Sequence, residues 1–214
     1  MTMLKISETH IQTFLEHANG KTIIVGYGSL LSQYSRQHFS QINSLVMPVL
    51  VHNWERSWIT RSLSEKQTYV GATPEPGACI NACILALDID PSFQQREQDY
   101  RFTLLEPAAI EFLLPSGFES HVEVLQAQPI YICESLDINP ANEKYPVSFS
   151  YIHTCLLGAQ ELMGAKGIDE FFRHTKGWGS TKFVNDSTSP KYPRAATQGM
   201  GSFDIEALIN LHSK

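Results

Sequence analysis

Thr22-Ile23-Ile24-Val25-Gly26-Tyr27-Gly28-Ser29-Leu30-Leu31 runs from β-branched apolar residues straight into a glycine turn. Branched side chains favour extended backbone, so residues 22–27 read as a short buried strand. Gly28 lets the chain turn sharply or approach a ligand closely. Residues 31–39 then read as a short helix. The amides of Gly28, Ser29 and Leu30 could converge on an anion at its start; a plain turn fits the same residues. Two known loop types are excluded. G-x-G-x-x-G would need glycine where Leu31 stands. G-x-S-x-G would need glycines where Tyr27 and Leu31 flank Ser29.

Outward from this stretch, residues 7–18 form an amphipathic helix pattern, with Ser7 or Thr9 as cap and Ile11, Phe14, Leu15 and Ala18 on one face. Residues 45–60 read as one or two strands, 69–73 as another, Pro74-Glu75-Pro76-Gly77 as a turn, and 79–87 as a strand buried on both faces. Asp90-Pro91 starts a helix expected over 92–102. Residues 122–125 and 130–133 read as strands, 134–149 as a surface connection, and 151–172 as helical, divided at Gly164 or Gly167. A last helix covers 203–211. Strands fall in the first two thirds and helices in the last, which is an α+β pattern.

The 92–102 segment holds an acid in an unexpected place. At 100° per residue, Phe93, Glu97 and Tyr100 lie within about 60° of one another, with Leu104 joining if the helix persists. Glu97 thus falls in the apolar stripe. A buried carboxylate is costly unless it pairs with a cation or serves chemistry at a raised pKa. Arg101, four residues on, is the expected partner under the first alternative.

Together the two features resemble the gamma-glutamylcyclotransferase family. The family carries a YGSL-type loop after its first strand, here Tyr27-Gly28-Ser29-Leu30, and later an acid in an R-E-x-x-Y pattern, here Arg96-Glu97-Gln98-Asp99-Tyr100, with Arg101 next. The likeness covers residues 22–101, with looser similarity to Cys133. It departs at Ala82, where glycine is expected, and in the longer spacing between Leu87-Asp88 and Arg96-Glu97. The resemblance implies a mixed β-barrel or sheet flanked by helices over residues 1–135. A mainly helical C-terminal extension over 136–214 would pack on it. It implies an enzyme that releases 5-oxoproline from a gamma-glutamyl substrate, with Glu97 as catalytic acid/base. Tyr27, Gly28, Ser29, Leu30 and Tyr100 would bind substrate, and no cofactor or metal would be needed. A non-catalytic binding module on the same fold is the alternative. The tract Asn185-Asp186…Pro190…Tyr192-Pro193-Arg194 resembles extended members. Arg194 either meets a substrate carboxylate or stands on the surface after a turn.

Composition narrows the classes. Lys and Arg total 16 against 22 Asp and Glu, a net charge of −6, which argues against nucleic-acid binding. Apolar residues make up 43% of the chain, enough for a real core. No uncharged apolar run is long enough to span a membrane, and MTMLKISETH has no signal-peptide core, so a cytoplasmic location is expected. Cys79, Cys83, Cys133 and Cys155 read as reduced and mostly buried; C-x3-C at 79–83 lacks the second pair a zinc site needs. His153 and Cys155 diverge on a helix, which leaves Cys133 with a distant histidine as the nucleophile alternative.

Overall fold

The long hairpin of strands β2 and β3 is the frame on which the other elements are hung. The computed structural model describes residues 4–197 and 199–213. Residues 1–3, part of the N-terminal stretch read above, and residues 198 and 214 lie outside them. In chain order the elements are α1 (Glu8–Ala18), β1 (Thr22–Gly26), a 3₁₀ turn (Ser29–Leu31), α2 (Gln33–Ser40), β2 (Val46–Ser62) and β3 (Gln67–Leu87). Then come α3 (Pro91–Arg96), β4 (Tyr100–Leu104), a 3₁₀ turn (Pro107–Ala109), β5 (Ile110–Phe112), α4 (Glu119–Gln126) and β6 (Ile130–Ser135). The last are β7 (Val147–Ser148), α5 (Phe149–Arg173), β8 (Thr175–Lys176), β9 (Phe183–Val184) and α6 (Ile205–His212).

The main sheet runs β4-β6-β1-β3-β2-β5, with β8 added on β2 and β7 paired separately with β9. β1 lies antiparallel to β3 and parallel to β6. Beyond the end of β1, β6 meets β3 directly, Ala72 opposite Glu134. The two neighbours of β1 thus close up past its end, and residues 27–31 leave the sheet there. The α+β architecture, a large mixed sheet flanked by helices, is the one expected from the sequence.

α1 is capped as read: the Ser7 hydroxyl accepts from the His10 amide, and Ile11, Phe14 and Ala18 are buried. α5 spans the expected helical region and is broken at Gly164, whose φ is 64°.

Four readings need correction. Pro74-Glu75-Pro76-Gly77 is not a chain reversal. β3 continues through it, paired with β2 on both sides (Trp54 opposite Pro74, His52 opposite Cys79), and the extra residues form a bulge held by Asn53 Oδ1 accepting from the Gly77 amide at 3.1 Å. The helix starting at Pro91 stops at Arg96, and Tyr100–Leu104 is strand β4, paired with β6. The aromatic and β-branched residues there gain a sheet ladder that the helix would have to forgo. Phe93, Glu97 and Tyr100 therefore do not share a helix face, and Leu104 is exposed. Residues 122–125 alternate like a strand but lie in α4, where only Leu125 is buried. The region 134–149 is not all connection: Glu134 and Ser135 end β6, and Val147 and Ser148 form β7.

Among the links between the sheet and the C-terminal third, one buried side chain gathers the most partners. Arg56 of β2 is fully buried, and all five of its N–H donors are satisfied by neutral acceptors. They reach Tyr27 O at 2.9 Å, Asn81 O at 3.0 Å, Asn81 Oδ1 at 2.7 Å, Phe171 O at 3.0 Å and Thr175 Oγ1 at 2.7 Å. Its guanidinium also lies 4.0 Å over the Phe171 ring. Arg56→Met would fill the space but leave several buried acceptors unpaired. We predict a loss of about 3 kcal/mol or more in urea unfolding. A loss below about 1 kcal/mol would show that the acceptors find other partners.

Candidate functional site

Where β1 ends and residues 27–31 leave the sheet, a cleft opens with a volume of about 410 Å³. Tyr27, Gly28, Ser29, Leu30, Glu97 and Tyr100 all line it, so the residues singled out from the sequence come together. They do so by a different route from the one expected. Glu97 is the C-cap of α3, not a mid-helix position, and the turn after it aims the side chain inward.

The turn at Gly28 is set by close packing. A Cβ there would stand 2.8 Å from Tyr151 Oη and 2.8 Å from Val70 Cγ2. The Tyr27 hydroxyl donates to Cys133 O, and its carbonyl is held by Arg56. On the far side of the turn, α5 presses its Gly158 against the backbone of Leu31 and Ser32, 2.2 Å from where a Cβ would sit. The first amides of the 3₁₀ turn have no partner inside it. Tyr100 is fixed by donating to Val70 O at 2.8 Å.

Glu97 pairs not with Arg101 but with its neighbour Arg96, Nε to Oε1 at 3.0 Å, and the two side chains are only 10% and 8% exposed. Arg96 also donates to Ser29 Oγ at 2.9 Å and to Ser40 Oγ, tying the acid to the glycine turn and to α2. Arg101 is drawn away by the sheet: it stands opposite Glu134 in the β4–β6 register and donates to that carboxylate at 2.9 Å. Burial pushes the Glu97 carboxyl above the usual carboxylate range, while the charges of Arg96 and Arg194 hold the rise back.

The other wall was not foreseen. Tyr69 of β3, Tyr151 of α5 and Tyr192 pack edge to face, with centroids 4.7, 4.9 and 5.5 Å apart. The tract from Asn185 to Arg194 builds this wall. Asp186, buried, accepts from the Ser150 amide at 2.8 Å and the Ser150 hydroxyl at 2.6 Å at the start of α5, and from the Lys191 amide at 2.6 Å. Tyr192, Pro193 and Arg194 are thereby set at the cleft, and Arg194 donates to Glu65 at 2.9 and 3.3 Å. Only the unusual Asn-Asp…Pro-x-Tyr-Pro-Arg composition hinted at this.

Cys133 also lines the cleft, but burial and the nearby Glu97 raise its thiol well above its ordinary value, so it stays neutral. No histidine is among the described residues that line the cleft, which removes the base a cysteine nucleophile would need. Among the described residues no cluster of His, Cys, Asp and Glu is placed to hold a metal ion, and no helix is long and apolar enough to cross a membrane.

Neither a family model nor a curated protein sequence matches the chain. Solved structures do. YkqA from Bacillus subtilis superposes with a TM-score of 0.52 at 10% identity, over 82% of this chain and 60% of its own. The chain thus spans less than two thirds of that relative's length. The shared fold is the mixed α+β one described above. A structure described as a gamma-glutamyl cyclotransferase matches with a TM-score of 0.49 at 12% identity, over 89% of this chain and 99% of its own. One from yeast, described as a gamma-glutamyl cyclotransferase specific to glutathione, matches with a TM-score of 0.46 at 11% identity, over 72% and 97%. At 10% identity the likeness to YkqA is one of fold.

Within this cleft, the state of Glu97 depends on its nearest cation. Removing a positive charge beside a carboxyl favours the neutral form. Arg96→Gln is therefore predicted to raise the Glu97 pKa further, read by carbon NMR titration of the labelled side-chain carboxyl. An unchanged or lowered midpoint would mean that Arg96 does not act on it.

Proposed function

We propose that the cleft binds a gamma-glutamyl amide or peptide and converts it to 5-oxoproline and a free amine, with Glu97 as the acid/base. The observation that carries this reading is the Glu97 carboxyl: buried, facing the cleft, and linked through Arg96 to the glycine turn.

The chemistry is intramolecular aminolysis. The substrate's α-amino nitrogen attacks its own γ-carbonyl carbon, a five-membered ring closes, and the C–N bond to the leaving amine breaks. Nucleophile and electrophile share one molecule, so holding the folded conformer supplies much of the rate. Neither a covalent enzyme intermediate nor a cofactor is required.

Two protein roles remain. The α-ammonium must first give up a proton. Its pKa is about 7.7–8.0 against about 4.3 for an exposed Glu, an uphill transfer of about 5 kcal/mol. Burial of Glu97 narrows that gap, and its two arginine neighbours keep the carboxyl from being protonated too readily. The proton taken from the ammonium is returned to the departing amine, so the enzyme ends as it began. The second role is to hold the glutamyl part. The amides of Gly28, Ser29 and Leu30 bind its α-carboxylate, Tyr27 and Tyr100 wall the pocket, and Gly28 lets the turn pack against Tyr151 and Val70.

Glu97→Gln keeps the shape and removes the titration. The expected result is a loss of at least about 100-fold in 5-oxoproline release from gamma-glutamyl dipeptides, glutathione and gamma-glutamylamines. Near-wild-type turnover in that variant rejects the role, and no release by the wild-type protein from any of them makes the cleft a binding module. Gly28→Val sets a side chain against Tyr151 and Val70. It should raise KM or abolish turnover, and unchanged constants would remove the turn from the site.

A further inference from the structure

Arg194 is held in the cleft wall in a way that leaves it chemically unfinished. Its side chain is 20% exposed. Nε donates to the Tyr192 hydroxyl at 3.2 Å, and the two terminal nitrogens donate once each to Glu65 at 2.9 and 3.3 Å. A guanidinium has five N–H donors in a rigid fork, so two of them have no protein acceptor among the described residues. The group stacks against the Tyr192 ring, 5.0 Å from its centroid. Its backbone is fixed by the Asp186 network below Tyr192 and by the Ala196 amide, which donates to Thr154 Oγ1 of α5 at 3.0 Å. A surface arginine after a turn would have no such support.

The cleft therefore carries two cations on separate walls. Arg96 is bound to the glycine turn and α2; Arg194 is bound to Glu65 of the β2–β3 turn and to the C-terminal segment. The charges of both act on Glu97. A gamma-glutamyl amino acid has the matching layout: a carboxylate at each end and the scissile amide between them. With the glutamyl α-carboxylate at the turn, the second carboxylate falls to the other wall.

We propose that Arg194 is a specificity-determining residue, supplied by the C-terminal segment, that binds the carboxylate of the leaving amine. The cleft is thereby selective for gamma-glutamyl amino acids and peptides over gamma-glutamylamines that lack that group. The proposal rests on the cyclisation reading above. Arginine is suited to the task because its planar fork can grip a second carboxylate through the donors that Glu65 leaves over.

The test is a ratio. The full-length protein is assayed for 5-oxoproline release from gamma-glutamyl-alanine and from gamma-glutamyl-alaninamide, which differ only in the terminal carboxylate. Wild type should favour the acid by about tenfold or more in kcat/KM, because a site built for a polar group rejects the analogue lacking it. Arg194→Gln should bring the ratio close to one, chiefly through KM for the acid, and Arg194→Lys, which keeps the charge, should restore part of it. A wild-type ratio near one overturns the proposal, as does an Arg194→Gln ratio equal to wild type. If Arg194→Gln fails to fold, the wild-type ratio and the Arg194→Lys ratio decide: a lysine variant as selective as wild type contradicts a bidentate grip. Release from neither compound by the wild-type protein overturns the cyclisation reading itself, and the proposal falls with it.

Discussion

A single buried guanidinium underlies the whole arrangement. Arg56 spends its five donors on neutral oxygens from β1's outgoing loop, β3, the end of α5 and β8. With no carboxylate among them, its charge is stabilised by peptide and amide dipoles and by the Phe171 ring. Desolvation of such a group is expensive, and burial lowers its pKa to about 9. What the fold gains is position. The Tyr27 carbonyl, at the start of the turn that shapes the cleft, is fixed to the same atom group that anchors the end of α5. Arg56 thus adds to the direct packing of α5 on the turn, where Gly158 meets Leu31 and Ser32.

The cleft chemistry follows from a balance set by that geometry. Burial alone would drive Glu97 toward its neutral form, useless as a base at neutral pH. Adjacent cations alone would hold it ionised and too weak. The chain places the acid at the end of a short helix, where Arg96 reaches both it and the turn. A second cation is brought from almost a hundred positions further along the sequence. Three tyrosines close the opposite side without adding charge.

How much of this could be read in advance depended on how local each signal was. The strand-to-glycine turn is written in consecutive residues and was legible. Glu97 was legible as an acid out of place, though for the wrong reason. The stripe assumed a helix through Leu104, whereas cross-strand pairing with β6 takes over at Tyr100. Pro74 to Gly77 carries every mark of a reversal, and only the register with β2 makes it a bulge. Arg56 gave no local sign, and Arg194 was marked only by the composition of its tract, which left two roles open. The partners of Arg56 lie 25 to 119 positions away, and Glu65 lies 129 from Arg194.

In the proposed reaction the ligand closes on itself and water takes no part in bond making. Turnover of a gamma-glutamyl peptide in oxygen-18 water, with mass analysis of the products, tests it most directly. The account predicts 5-oxoproline free of the heavy isotope, released together with the amine. Glutamate carrying oxygen-18 would mean hydrolysis and would contradict it.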